Sequence, residues 1–241
     1  MTKVALITGS AKRIAKIMAK TLHADGFNIV IHYRHSQKEA EALCDQFNQE
    51  RKDSAQCLQA DLNNCDYDRL VQSAAKYWDR LDVLINSASM YYATPIGKAT
   101  PEEWDDLFAS NCKAPFFLSQ AAFPFLKKTN GAIINISDIN SMKLRSDYPV
   151  YCVAKAGLNA QTKFLARELA PSVRVNAIAF GPMLSVENPG AITEEMEQKY
   201  IEGSLLKRKD THEDIAKALR YLVCADFVTG NILTLDGGRS V

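Results

Sequence analysis

The segment from Val4 to Tyr33 constrains the fold most. Val4-Ala5-Leu6-Ile7-Thr8 is a short apolar run that stops at Gly9. Ile14, Ile17, Met18 and Leu22 then recur at helical spacing as far as Asp25-Gly26, and residues 28–33 are largely apolar again. A strand, a glycine turn, a helix and a second strand at such short range favour two parallel strands joined by a helix packed on their sheet.

The alternation continues along the chain. Helices are predicted over 36–51 and 64–79, and strands over 54–60 and 82–86. Thr100-Pro101-Glu102-Glu103 is a capping box with Pro at the first helical position, and it opens a helix to about 112. The next helix, over 114–128, carries Phe116, Phe117, Leu118, Ala121, Ala122, Phe123, Phe125 and Leu126, so it is apolar nearly all round. Such a helix is buried on more than one side. It either packs wholly inside the fold or forms part of a subunit interface, and the interface is favoured because a doubly wound sheet leaves one face of each helix outward.

A strand over 132–137, a helix over 150–169 and a strand over 173–179 follow. After Gly181-Pro182 the pattern loosens: 183–209 holds Pro189, Gly190 and Gly203 around a short helical stretch at 194–201, and it reads as a lid. Thr211-His212-Glu213-Asp214 caps a helix to about 224, and 232–235 is a last strand before Asp236-Gly237-Gly238. The expected fold class is α/β: a single Rossmann-type doubly wound parallel sheet of about seven strands, helices on both faces, over residues 1–241.

Composition narrows the function. The 241 residues are 47% hydrophobic, in line with a soluble domain that has a substantial core. Basic and acidic side chains number 29 and 28, a net charge of +1, so nothing in the balance points to nucleic acid or a membrane surface. Six cysteines are scattered without a Cys-x-x-Cys or a nearby His pair, which argues against a zinc site or a disulfide framework. A strand pattern begins at Lys3 without a basic-then-apolar leader, and no apolar run approaches the roughly 18 residues that span a bilayer. A cytoplasmic enzyme without a metal is expected.

The turn after a first strand is where a dinucleotide pyrophosphate binds, because backbone N–H groups and the helix dipole both face the phosphates there. Gly9 would make that turn, with Arg13 and Ile14 opening the helix behind it. At the end of the second strand NAD would need an acidic residue, and His32-Tyr33-Arg34-His35-Ser36 offers a cation and hydroxyls instead. That chemistry suits the extra 2′-phosphate of NADPH. Asp61 with Leu62 could hold the adenine, and Asn86 could pack against the adenosine ribose.

Tyr151 and Lys155 lie one helical turn apart, so the ammonium can sit beside the phenol and favour its ionised form. A phenol tuned in that way serves as a proton donor in hydride transfer. Asp138 precedes them at the end of a strand. A ketone reductase would want a neutral donor at that point, because a carboxylate repels a developing alkoxide. Delivering a proton to the nitrogen of a C=N bond suits a Tyr coupled to a carboxyl group. Asp138 could otherwise simply cap a turn.

With these residues placed, the whole chain resembles the short-chain dehydrogenase/reductase family. The resemblance rests on Thr8-Gly9, Asn86-Ser87-Ala88, Asn111, Tyr151 with Lys155, Gly181-Pro182, Thr229-Gly230 and Asp236-Gly237-Gly238. More narrowly, the chain is similar to the pteridine reductase branch through Lys12-Arg13, His32 to Ser36, Ser89 with Tyr91-Tyr92, Thr94-Pro95, Asp138 and Leu184-Ser185-Val186. Arg13 and Ala15 stand where the family has glycines, Ser87 replaces an Asn, and Met183 replaces a Gly.

The resemblance implies that NADPH lies along the strand ends, against Gly9, Arg13, Ile14, His32, Tyr33, Arg34, Ser36, Asp61, Leu62, Asn86, Ala88, Lys155, Pro182 and Ser185. Lys155 would hold the nicotinamide ribose and Asn111 would steady a proton-relaying water. Arg13, Tyr91, Asp138 and Tyr151 would contact a pterin or folate substrate, with Tyr91 stacking on its ring. Antifolates would then inhibit, and the protein would be a homotetramer. Two alternatives stay open: a carbonyl reductase of the same family acting on ketones or quinones, and a catalytically silent protein that senses NADP.

Overall fold

In the computed structural model, residues 1–186 and 192–241 are described. The strands are β1 (Val4–Ile7), β2 (Asn28–Tyr33), β3 (Ala55–Gln59), β4 (Val83–Asn86), β5 (Ala132–Asp138), β6 (Arg174–Phe180) and β7 (Ile232–Leu235). The helices are α1 (Arg13–Ala24), α2 (Gln37–Glu50), α3 (Tyr67–Lys76), α4 (Pro101–Phe108), α5 (Ala114–Thr129), α6 (Pro149–Leu169), α7 (Glu194–Glu202) and α8 (His212–Cys224). The strands form one sheet in the order β3-β2-β1-β4-β5-β6-β7, and all neighbours are parallel. This is the Rossmann-type α/β fold expected from the alternation.

Alternation within each strand explains why both faces are covered. In β1, Ala5 and Ile7 face one layer with Met18, Leu22 and Leu219, whereas Val4 and Leu6 face the other with Val71, Leu118 and Leu126. The central strand β1 is therefore apolar at every position. Leu84 and Ile85 are fully enclosed, each side chain contributing about 1.5–3 kcal/mol by leaving water.

Several element ends move from their predicted places for local reasons. Asp66 caps α3 by accepting the Arg69 N–H at 3.0 Å, so the helix starts later than expected. Asp82 lies outside β4 because its carboxylate accepts the Val4 N–H at 2.8 Å and is gripped by Arg80. Between α4 and α5 the backbone widens into a π-turn over Ala109–Lys113, in which the Ala114 N–H reaches the Ala109 carbonyl. The capping boxes at Thr100/Glu103 and Thr211/Asp214 both form.

Leu118, Ala122 and Leu126 of α5 enter the core, while Phe117 on its other side is 38% exposed. The helix is thus not wholly enclosed within one chain. Of the expected lid over 183–209, the stretch around Pro189 and Gly190 lies outside the described residues; α7 occupies the described part as foreseen. Among the described residues no helix is long and apolar enough to cross a membrane.

Candidate active site

The strand order reverses between β1 and β4, and the C-terminal ends of these strands open onto a groove of about 990 Å³. Gly9 turns the chain there with φ +67°, and a Cβ on it would stand 3.1 Å from the Ala88 Cα. Both the backbone conformation and the approach of the next loop therefore call for glycine. Thr8 Oγ1 accepts the N–H groups of Ser87 at 2.8 Å and Ala88 at 3.0 Å, which ties the two loops together.

His32, which lines the groove, also braces its turn. The Gly9 N–H donates to its Nδ1 at 3.1 Å, and its Nε2 donates to the Ala60 carbonyl at 3.2 Å. The ring is 1% exposed, so both nitrogens are engaged within the protein and the imidazole braces the glycine turn from behind. Burial lowers its pKa to about 4, outweighing the Ala60 bond and the Asp61 charge. Between the ordinary value of 6.5 and about 4 the unfolded chain binds more protons, so stability contributed by this ring is lost as pH falls through that window. His23, lowered chiefly by burial, acts in the same sense. His32→Asn keeps an acceptor and a donor without a titrating group, and its thermal midpoint is expected to fall less steeply from pH 6.5 to 4 than that of the unmodified protein. Parallel melting curves at several pH values check this; identical slopes would remove His32 as the cause.

Arg13 begins α1 with φ +54°. That left-handed conformation costs a non-glycine residue roughly 1–2 kcal/mol. Arg13, Ile14, Tyr33, Arg34, Ser36, Asp61, Leu62 and Ala88 all line the groove. Arg34 Nη2 lies 2.9 Å from Asp61 Oδ2, while its buried Nε has no hydrogen-bond partner among the described residues. A cationic N–H left unpaired in this way is a donor suited to an oxyanion.

At the other end, Tyr151 donates its phenolic O–H to Asp138 Oδ2 at 2.9 Å, and Asp138 Oδ1 accepts the Asn140 N–H at 2.8 Å. Asp138 thus caps a 3₁₀ turn and holds the phenol at once. Ser137 donates to Asn159 Oδ1 at 2.6 Å and is not bound to the phenol. Lys155, 3% exposed, donates to the Ile136 carbonyl at 2.9 Å, with its ammonium 5.7 Å from the Tyr151 ring centre. The expected ionisation of the phenol by Lys155 is not seen. Burial first, and Asp138 second, push the Tyr151 pKa well above 10, so the phenol keeps its proton. Burial brings Lys155 down to about 8.

Three expected site residues turn away from the groove. The Asn86 side chain donates to Asn135 Oδ1 at 2.9 Å beneath the sheet edge. Asn111 is fully buried: its Nδ2 donates to the Met90 and Leu107 carbonyls, and its Oδ1 accepts the Ser89 hydroxyl at 2.6 Å. It anchors the π-turn to the loop after β4. Ser185 is bound by its N–H and hydroxyl to the Asp210 carboxylate, whereas Pro182, Met183 and Leu184 face the groove.

The aromatic wall is larger than the sequence suggested. Tyr91 stacks on Tyr148, with ring centres 4.7 Å apart, and meets Tyr151 edge-on at 4.8 Å. Arg145 lies over the Tyr148 ring at 4.7 Å. Tyr148, Lys143, Arg145, Tyr200 and Arg239 carry no family signature and were not foreseen. Two basic residues close before a tyrosine, Lys143 and Arg145 ahead of Tyr148, are the signal that could have indicated the first three of them.

Comparison with known proteins agrees with this geometry. The profile of the enoyl-(acyl carrier protein) reductase family matches residues 9–240. A protein of Streptomyces violaceoruber named for ketoacyl reduction in the granaticin polyketide synthase is 34% identical, over 98% of this chain and 95% of its own. Pteridine reductase 1 of Leishmania tarentolae is 31% identical, over 99% and 96%. The 3-oxoacyl-(acyl-carrier-protein) reductase of Staphylococcus aureus strain Mu50 is 31% identical, over 99% and 98%. With a glycine turn at the switch point, a Tyr and a Lys one turn apart on α6 and matches of this extent, the chain belongs to the short-chain dehydrogenase/reductase family of oxidoreductases.

Proposed function

We propose that the protein is an NADPH-dependent pteridine reductase, acting on dihydropterins and on dihydrofolate, with Tyr151 as proton donor. The observation that carries this reading is the Asp138 carboxylate bonded to the Tyr151 hydroxyl at 2.9 Å. A negative group there opposes an alkoxide but suits protonation of a ring nitrogen. The Leishmania pteridine reductase among the relatives supports it.

The groove fits the cofactor at both ends. The glycine turn and the α1 N-terminus suit a pyrophosphate, and the unpaired Arg34 Nε suits the 2′-phosphate. When bound, NADPH supplies the hydride. Tyr151 gives its phenolic proton to the substrate nitrogen, and Asp138 returns a proton from solvent to the phenolate. Lys155 would hold the nicotinamide ribose, while Tyr91 presents a flat face to the pterin. A homotetramer would cover Phe117 of α5 together with Val153 and Phe164 of α6, all of them exposed in one chain.

A second reading, reduction of a ketone, is favoured by the names of the two ketoacyl and oxoacyl reductase relatives. NADPH oxidation with dihydrobiopterin, dihydromonapterin, dihydrofolate and a set of ketones and quinones separates the two. Methotrexate titration of the NADPH-bound protein tests the flat slot, and binding without any turnover would mark an NADP sensor. Arg34→Asp is expected to weaken NADPH by about 10-fold or more, because a charge-assisted hydrogen bond worth roughly 1.5–3 kcal/mol is lost, and so to erode the preference over NADH. Equal catalytic efficiency of the unmodified enzyme with both cofactors would overturn the assignment of Arg34.

A further inference from the structure

We propose that Lys143, Arg145 and Arg239 form a subsite for an anionic tail, carboxylate or phosphate, on the substrate. The proposal rests on the hydride-transfer reading above and adds the substrate's charge to it. All three residues line the groove that holds Asp138 and Tyr151. They come from two remote parts of the chain, the loop after β5 and the C-terminal turn.

Lys143 Nζ joins the two parts by donating to the Arg239 carbonyl at 2.7 Å. An ammonium has three donors, so further ones remain. Asp236 shapes the C-terminal turn by accepting the Gly238 and Ser240 N–H groups at 2.8 and 2.7 Å. Arg239 is held over the Tyr200 ring at 5.0 Å and donates to the Tyr200 carbonyl at 3.1 Å. Tyr200 also meets Arg145, whose guanidinium carbon lies 4.7 Å from the Tyr148 ring centre. Rings thus hold two guanidinium groups in place in advance, and their remaining N–H donors suit a planar or tetrahedral anion.

Among the described residues the charges of the cluster are also unmatched: none of these three cations has a carboxylate within ion-pairing distance. Elsewhere the exposed arginines Arg208 and Arg220 are each matched to an aspartate. Three like charges gathered at a groove in a chain of net charge +1 repel one another. An anion placed between them relieves that repulsion, and the nearby aromatic wall of Tyr91 and Tyr148 would carry the uncharged part of the ligand.

Two substrate chemistries supply such an anion: a pterin with a glutamate tail, and an acyl thioester of phosphopantetheine. Two matched pairs separate them. Dihydrofolate against dihydrobiopterin varies the carboxylates on a pterin, and acetoacetyl-phosphopantetheine against ethyl acetoacetate varies the phosphate on a ketone. Whichever pair is turned over identifies the reaction, and the preference within that pair tests the subsite. In the Lys143→Met/Arg145→Met protein the ratio of kcat/KM, anionic over neutral, is expected to fall by about 10-fold or more, the size expected for losing a charged hydrogen bond. Lys143→Arg and Arg145→Lys should keep most of it, and added salt should lower it in the unmodified enzyme. An unchanged ratio in the double variant overturns the subsite and leaves the reaction assignment standing. If neither pair is turned over, the function fails, and calorimetry with 4-aminobenzoyl-glutamate and with 4′-phosphopantetheine decides the subsite. Binding lost in the double variant supports it, and absence of binding to the unmodified protein overturns it.

Discussion

Tyr151→Phe is expected to lower kcat by roughly 10²-fold or more, the usual loss on removing a positioned acid, while NADPH affinity stays nearly constant. The phenol is 5% exposed, and its ring packs edge-on against Tyr91, so phenylalanine preserves the packing and removes only the hydroxyl bonded to Asp138. Because burial and Asp138 hold its pKa above 10, the phenol is a protonated donor throughout the neutral range. The alkaline limit of the reaction therefore falls to Lys155, whose ammonium is lost as pH rises through about 8. Kinetics of the variant at saturating pterin, with fluorescence titration of NADPH, check the first part. A pH profile of the unmodified enzyme checks the second. A kcat for Tyr151→Phe within a few-fold of the unmodified value would place the proton donor elsewhere.

Pattern made the fold legible, while chemistry in the site was legible only where a residue's neighbours were close in sequence or fixed by topology. Alternation of apolar runs placed β2 and β7 at their observed limits, because both are bounded by sharp breaks in composition. The one-turn spacing put Tyr151 and Lys155 on the same side of α6, and the register of the strand ends brought Asp138 to the phenol. What spacing could not convey is which polar group each side chain meets. His32, Asn86 and Asn111 are polar residues near strand ends or turns, just as ligand contacts are, yet each is buried with protein partners. The balance of burial against charge was equally hidden: Lys155 near a tyrosine suggests a lowered phenol pKa, whereas enclosure of both groups raises one and lowers the other. Lys143, Arg145 and Arg239 escaped notice because the C-terminal turn meets the loop after β5 only in the folded chain.

The same pair of residues yields the sharpest test of substrate chemistry. Asp138→Ser is expected to lower pterin reduction by about 10²-fold, as for the loss of a group that supports proton transfer, and to raise kcat/KM for a simple ketone by about 10-fold or more. Serine retains an oxygen able to accept the Asn140 N–H that Asp138 Oδ1 now accepts at 2.8 Å, so the 3₁₀ turn and the end of β5 should persist. What changes is the sign of the group facing the reacting atoms. A unit negative charge about 4 Å from a developing alkoxide is worth ~4 kcal/mol of repulsion at an effective dielectric near 20. Part of that penalty would be present in the unmodified protein and absent from the variant, where the hydroxyl donates to the oxyanion instead. For a ring nitrogen receiving a proton the effect reverses, since the carboxylate orients the phenol and would conduct its replacement proton. Initial rates of NADPH oxidation with dihydrobiopterin and with ethyl acetoacetate, measured on both proteins, give the two ratios. If pterin reduction survives Asp138→Ser unchanged, the carboxylate is a turn cap alone, and the case for C=N reduction over carbonyl reduction loses the observation on which it stands.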